Sequence, residues 1–152
     1  MQKHQINACL GFIEKAEEAL NFYSNVFNVP ILYTIKFKDI ATEGIPPEER
    51  EKIARMALDF GGFHLCGEDL DVASATELAT ADIKHIPKQF FSITLNNEQE
   101  VDKIVAQLSE DGNIIVPFAP QLFAPYYGRL VDRYGIGWEL DVAFEEGSSE
   151  YD

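Results

Sequence analysis

The chain has 152 residues and a mass of 17.1 kDa, the size of one globular domain. Its 46% of hydrophobic and 25% of charged residues exclude a disordered chain. The 12 basic and 26 acidic side chains give a net charge of -14, which argues against binding to nucleic acid or to an anionic membrane. No apolar run reaches the roughly 18 residues of a membrane helix, and no signal peptide pattern is present. We therefore expect a cytoplasmic protein.

The first half of the chain predicts a strand, a helix and three further strands. Residues 5–12 form a short apolar run of strand length. Apolar residues then recur at helical spacing and predict a helix over Lys15–Phe27. The other predicted strands are residues 31–37, 53–60 and 63–68, the last two flanking a tight turn at Gly61-Gly62.

The same order restarts after a polar stretch, residues 70–87, which we interpret as a connector. A strand is predicted over residues 89–95 and a helix over Glu98–Leu108, which Asn97 can cap. Three prolines predict a loop over Phe118–Tyr126. The remaining predicted strands are residues 114–118, 127–133 and 136–144, with a turn at Tyr134-Gly135. Residues 145–152 predict an acidic, disordered tail.

Both halves thus have the order β-α-β-β-β, which predicts an α+β fold within a single domain, residues 1–152. The two modules are residues 5–69 and 88–144. One helix can cover only one face of a four-stranded sheet, so two modules side by side would make a curved, eight-stranded mixed sheet with a groove. A concave cleft of this kind is where a small-molecule site is expected.

Two segments carry a family resemblance. The helix segment AEEALNFY, residues 16–23, followed by Val26-Phe27, resembles the opening "AEEAxxFYxxxF" of PhnB-like proteins. The closing segment GRLVDRYGIGWEL, residues 128–140, resembles their ending "GRxxDxFGxxWxL". These proteins belong to the vicinal oxygen chelate superfamily, together with glyoxalase I, bleomycin resistance proteins and extradiol dioxygenases. The resemblance covers about residues 5–144 and implies the glyoxalase/bleomycin resistance fold.

The resemblance also implies where a metal would bind. Metal-dependent members of the superfamily take ligands from the first and last strands of each half. Here the first-strand positions correspond to Ala8, which cannot bind a metal, and to Ser92, which is a poor ligand. The last-strand positions correspond to His64 and Glu139. We therefore expect no catalytic metal and no other cofactor; if a divalent metal binds, His64 and Glu139 are its ligands.

Several side chains are candidates for a ligand groove, and each has a structural alternative. His64 either lines the groove or is a hydrogen-bonded structural histidine, and Glu139 faces either the groove or solvent. Arg129 and Arg133 could clamp an anionic ligand or form ion pairs with the surplus acids. Ser92 and Trp138 complete the predicted groove. An aromatic cluster could wall a pocket or pack in the core; it comprises Phe123, Tyr126, Tyr127 and Tyr134.

The two cysteines, Cys9 and Cys66, lie in apolar strands and predict two reduced core thiols. The chain contains no phosphate-binding loop, dinucleotide fingerprint, nucleophile elbow or zinc-protease motif. Some relatives carry the name demethylubiquinone methyltransferase, but no methyl-donor motif is present here.

Three functions remain. The first is a metal-free protein of the bleomycin-resistance or PhnB-like type that binds a small organic ligand. The second is an enzyme of the lyase, isomerase or dioxygenase type, using His64, Glu139 and an amide such as Gln5, Asn7 or Gln89 to hold a metal, or acting by acid–base chemistry. The third is a protein whose groove is vestigial and which acts through a protein partner. The resemblance implies pairing of modules within or between chains, and open sheet edges favour a homodimer.

Overall fold

The computed structural model describes residues 4–40, 43–70 and 87–144, in two compact units, Met1–Asp82 and Ile83–Asp152. The first unit contains β1 (Ala8–Phe12), α1 (Ala16–Phe27), β2 (Ile31–Lys36), α2 (Phe37–Ile40), a 3₁₀ turn (Pro47–Glu49), β3 (Ile53–Asp59) and β4 (His64–Asp69). The second unit contains β5 (Phe90–Leu95), α3 (Glu98–Leu108), β6 (Asn113–Gln121), β7 (Ala124–Val131) and β8 (Gly137–Val142). Residues 71–86 of the predicted connector and the predicted tail, residues 145–152, lie outside the described residues.

The helix α1 forms because its apolar residues follow one stripe, and it packs against β3 and β4. The stripe is fully buried and consists of Ala16, Ala19, Leu20 and Tyr23. No side chain at the preceding residue caps the helix. Instead the buried carboxylate of Asp69, at the end of β4, accepts a hydrogen bond of 3.0 Å from the first helical N–H. Its other oxygen accepts one of 2.8 Å from the N–H of Ile53, so Asp69 joins α1 to the start of β3.

The helix α3 has the capping residue that its sequence predicts. The Asn97 side chain accepts a hydrogen bond of 2.9 Å from the Glu100 N–H. The Glu100 carboxylate reaches back to the N–H of Asn96, one residue before the cap, at 3.2 Å. The buried stripe of this helix is Val101, Val105 and Leu108, and it packs against β5, β7 and β8.

Each unit holds one four-stranded sheet. The strand order is β1-β4-β3-β2 in the first and β5-β8-β7-β6 in the second. In both sheets the first strand runs parallel to the last, and the other neighbours are antiparallel. The Gly61-Gly62 turn joins β3 to β4, and the Tyr134-Gly135 turn joins β7 to β8. Each turn thus connects the last two strands of its unit. The predicted fold class, two βαβββ modules, is thus confirmed.

The second turn is built around Asp132, which is 3% exposed. One carboxylate oxygen accepts hydrogen bonds from the N–H groups of Tyr134, at 2.8 Å, and Ile136, at 3.1 Å. The other accepts a hydrogen bond of 2.8 Å from the indole N–H of Trp138. The buried carboxylate of Asp132 therefore holds both the turn and the Trp138 side chain of β8 in place.

The predicted loop over Phe118–Tyr126 is wrong. The strand β6 continues through two prolines to Gln121, and β7 begins at Ala124. Proline cannot donate a hydrogen bond, but β6 is the edge strand of its sheet, where a missing N–H can face away from the sheet. The pairing of β6 with β7 is irregular at three places, which absorbs the local distortion. Among the described residues, no helix is long and apolar enough to cross a membrane.

Candidate functional site

The two faces of the second sheet are distinguished by α3. Tyr126 on β7 donates a hydrogen bond of 2.6 Å to Asp102 of α3, so its side chain lies on the face that carries the helix. Successive side chains of a strand point to opposite faces, and directly paired residues share a face. Tyr127 and Arg129 therefore lie on the other face, together with Glu139, which pairs directly with Arg129. In the part of the chain that the structure describes, α3 lies on the opposite side, so we call this side the helix-free face of the second sheet.

Three polar residues form a row across this face. Ser92 on β5 pairs with Glu139 on β8, which pairs with Arg129 on β7. The Glu139 carboxylate accepts hydrogen bonds from Arg129 Nε at 3.0 Å and from the Tyr127 hydroxyl at 2.9 Å. Partial burial acts to raise the pKa of Glu139, but hydrogen bonds from Ser92, Tyr127 and Arg129 outweigh it, and the pKa is lowered. Glu139 is thus held as an anion by three neighbours.

Aromatic rings flank the polar row. The guanidinium carbon of Arg129 lies 4.6 Å from the centre of the Phe90 ring and 6.0 Å from that of Tyr127. Phe123 contacts Tyr127 edge to face, with ring centres 4.7 Å apart. A Cβ at Gly137 would lie 2.8 Å from the Phe90 ring, so the glycine makes room for that ring. The helix-free face thus combines a cation, an anion and flat apolar surfaces.

Trp138 does not belong to this face, and its assignment to the predicted groove is wrong. It is 1% exposed and alternates with Glu139 along β8, so it lies on the helix side. The centre of its ring lies 5.3 Å from that of Phe91, and its indole N–H donates a hydrogen bond to Asp132. Neighbouring residues of a strand point to opposite faces, so Trp138 and Glu139 cannot line the same face of the sheet.

The predicted aromatic cluster is divided between the two faces. Tyr127 and Phe123 lie on the helix-free face, whereas Tyr126 bonds to α3 on the other. The hydrogen bond to Asp102, with a smaller effect of burial, raises the pKa of Tyr126 to about 12. Tyr134 is part of the turn before β8. The second arginine, Arg133, lies beyond β7 and pairs with exposed Glu110 at 3.7 Å.

The first sheet carries a separate row of polar residues around His64. His64 is the first residue of β4 and pairs directly with Asp59 on β3. On its other side, the Asn7 side chain accepts a hydrogen bond of 3.3 Å from the His64 N–H. Ala8, the predicted family position, instead pairs with buried Leu65. The residue beside His64 is therefore Asn7 and not Ala8.

The structure also shows the surroundings of the candidate amides and of the two cysteines. The amide of Gln5 donates a hydrogen bond of 3.1 Å to the Asn7 oxygen, which ties up that acceptor further. Gln89, just before β5 in the second unit, is exposed. Cys66 is buried as predicted, but Cys9 is exposed, so the prediction of two core thiols is wrong for Cys9.

A protein-family comparison identifies the chain. Residues 4–141 match the model of the family described as 3-demethylubiquinone-9 3-methyltransferase. The chain belongs to this family, the PhnB-like proteins of the vicinal oxygen chelate superfamily. A comparison with curated protein sequences finds no match.

Solved structures agree with the fold of this PhnB-like chain. A PhnB protein from Bacillus cereus is 26% identical, with a TM-score of 0.73 over 92% of this chain and 100% of that one. A protein from Pseudomonas aeruginosa is 23% identical, with a TM-score of 0.76 over 93% and 98%. The fosfomycin resistance protein FosX from Listeria monocytogenes is 14% identical, with a TM-score of 0.62 over 96% and 98%.

The donor set of this PhnB-like chain is a poor fit for a catalytic metal. Such a site needs about three protein ligands with nitrogen, sulfur or carboxylate donors. In the part of the chain that the structure describes, no group of three or more His, Cys, Asp or Glu residues is arranged to hold a metal ion. Within the second unit Glu139 is already bonded to a guanidinium, and Ser92 is a neutral hydroxyl. A metal ion at Oε2 of Glu139 would have to compete with Arg129 and Tyr127, which both donate to that oxygen.

One member of the site, Phe90, is not predicted from the sequence. Tyr127 is predicted only as one of several aromatic residues that could wall a pocket or pack in the core. The alternation of β7 contains a usable signal, because Tyr127 and Arg129 are two residues apart and so share a face. Phe90 could be found only from the register of β5 with β8, which places it beside Gly137.

Proposed function

We propose that this PhnB-like protein binds a small organic ligand without a metal, in the manner of the bleomycin-resistance type. The observation that carries the proposal is the state of Glu139, whose carboxylate accepts hydrogen bonds from Arg129 and Tyr127. A carboxylate engaged in this way holds its donors in a fixed orientation, and a metal ion would have to compete with both of them for Oε2. The proposed role of Glu139 is to hold Arg129 in place.

Arg129 supplies the polar recognition. Its Nε is bonded to Glu139, and 40% of its side chain remains exposed. The guanidinium also interacts with Tyr127, and the N–H groups of its exposed part can donate to a carbonyl, carboxylate or sulfonate oxygen of a ligand. Phe90, which is partly exposed, and Phe123, which is 53% exposed, offer flat apolar surfaces beside it, and buried Tyr127 packs against Phe123. The ligand we expect has an aromatic or apolar body and an oxygen acceptor.

The first experiment is a titration with anilinonaphthalene sulfonate, a fluorescent aromatic anion, on the full chain. Removing one charge-assisted hydrogen bond costs about 1.5–3 kcal/mol, so Arg129→Gln should weaken binding roughly 10–100-fold. Arg133→Gln is the matched control, because Arg133 pairs with exposed Glu110 away from the site, and it should leave the affinity unchanged. Equal binding by wild type and Arg129→Gln would refute the assignment.

The second experiment tests the enzyme alternative. Protein purified without chelator is analysed for metal content and, by native mass spectrometry, for small molecules that copurify. We expect no stoichiometric metal. A near-equimolar content of zinc, iron, nickel or manganese that is lost in a His64→Ala, Glu139→Ala double variant would overturn the proposal and favour a metal-dependent enzyme.

We further propose a cytoplasmic homodimer. The edge strand β2 exposes three large apolar side chains, Ile31, Leu32 and Tyr33, at about 40% each, and such edges are usually covered in native proteins. Light scattering at micromolar concentration should give twice the chain mass, and a mass of 17.1 kDa would contradict the dimer. Cell fractionation tests the location.

A further inference from the structure

The two cysteines of the chain lie directly opposite each other. Cys9 on β1 pairs in register with Cys66 on the neighbouring parallel strand β4. Adjacent strands are about 4.8 Å apart, which is inside the Cα separation of about 4.4–6.8 Å that disulfides span.

Both thiols lie on the same face of the first sheet. A Cβ at Gly67 would meet the Leu20 side chain of α1 at 2.3 Å, so Gly67 faces the helix. Its neighbour Cys66 must then face the opposite side, and Cys9, as the direct partner of Cys66, faces the same way. A bond between the two sulfurs therefore needs no rotation of either strand.

The thiols differ in access and in surroundings. Cys9 is exposed, whereas Cys66 is 3% exposed. Although Cys9 is exposed overall, partial burial of its thiol and the charge of Glu68 raise its pKa, so the thiolate is scarce at neutral pH. The guanidinium of Arg55 on β3 makes a hydrogen bond with the Cys66 sulfur, which also raises the pKa of Arg55. One thiol is thus open to a reagent, and the other is protected beside a positive charge.

We propose that Cys9 and Cys66 form a reversible disulfide within one chain when a hydroperoxide oxidises Cys9. The Cys9 thiolate attacks a peroxide oxygen; an S–O bond forms, the O–O bond breaks, and the leaving oxygen departs as water or alcohol after taking up a proton. The Cys66 sulfur then attacks the Cys9 sulfur; the S–S bond forms, the S–O bond breaks, and the sulfenic oxygen leaves as water with the Cys66 proton. The two thiols lose two electrons, and the peroxide gains them.

The disulfide would link β1 to β4 near His64. His64 lies two residues before Cys66 on β4, so the two side chains share a face. It lies in the first unit, whereas the Arg129 site lies in the second, so this inference does not depend on the proposed ligand binding. Register, and not thiol acidity, favours the bond, because the second thiol is already in place when the first is oxidised. The rate of Cys9 oxidation should therefore be slow at neutral pH and should rise with pH.

The test treats the fully reduced chain with hydrogen peroxide, alkylates the remaining thiols and maps the peptides by mass spectrometry. We expect both thiols to be lost together, one peptide pair linked through Cys9 and Cys66, and recovery of both thiols with dithiothreitol. Cys9→Ser should slow the loss of the Cys66 thiol at least about tenfold, since a buried thiol lacks access to the oxidant. Cys66→Ser should leave Cys9 as sulfenic or sulfinic acid.

Three outcomes would overturn the proposal. The first is Cys9 oxidised to sulfinic acid in wild type while Cys66 remains open to alkylation after unfolding. The second is a disulfide that joins two chains. The third is a Cys66 thiol lost as fast in Cys9→Ser as in wild type. The wild-type peptide map decides the question even if a serine variant does not fold.

Discussion

Asp132 gives the sharpest test of how the second unit is held together. It is 3% exposed and accepts three hydrogen bonds, two from turn N–H groups and one from the buried indole of Trp138. Asp132→Ala leaves the indole N–H without an acceptor, which costs about 1–3 kcal/mol, and removes two charge-assisted bonds at the turn. We expect the free energy of unfolding to fall by about 3–5 kcal/mol, out of a typical total of about 5–15 kcal/mol.

The assay is urea unfolding followed by far-ultraviolet circular dichroism. Asp59→Ala is the matched control in the first unit, because its carboxylate accepts one exposed turn N–H, that of Gly61, at 2.8 Å; it should cost less than about 1.5 kcal/mol. In a Trp138→Phe background the donor is gone, so Asp132→Ala should cost about 1–2 kcal/mol less than in wild type. A loss below about 1 kcal/mol in wild type, or an equal loss in both backgrounds, would refute this account.

The remaining predictions concern Asp69 and Glu139. Asp69→Ala removes the acceptor for the N–H groups of Ala16 and Ile53 and should lower the free energy of unfolding by about 2–4 kcal/mol, with Asp69→Asn losing less; an unchanged urea midpoint would contradict it. The pKa of Glu139 is lowered in the folded chain, so its contribution to stability is present above the ordinary titration range of a carboxyl and is lost on acidification. A side-chain titration by NMR should show this low pKa in wild type and a higher pKa in Arg129→Gln, and identical titrations would contradict the role of the guanidinium.

The sequence predicted the elements of the fold well where local signals agree with packing. The stripe of α3, its cap at Asn97 and the Gly61-Gly62 turn are local features, and the structure contains all three. The predicted strand ends at residue 118, whereas β6 continues to Gln121. The difference arises because the sequence does not show where a strand lies in its sheet. A proline in a central strand would interrupt pairing, whereas in an edge strand it removes only an N–H that needs no partner.

The candidate site was predicted less completely, because it depends on register between strands. His64, Ser92, Arg129 and Glu139 were named from sequence, and the last three meet in one row. Trp138 can be excluded from the site by strict alternation along β8, because it is adjacent to Glu139. The residue beside His64, which is Asn7, cannot be predicted in this way, since it depends on the register between β1 and β4.

The polar row of the second sheet is the basis for proposing an organic ligand rather than a metal. Glu139 lies between Ser92 and Arg129, and its Oε2 accepts hydrogen bonds from Arg129 and Tyr127. A metal ion that used this oxygen would have to compete with two donors that are already in place. In the proposed site Glu139 instead holds those donors in a fixed orientation, which is what a neutral or anionic organic ligand requires.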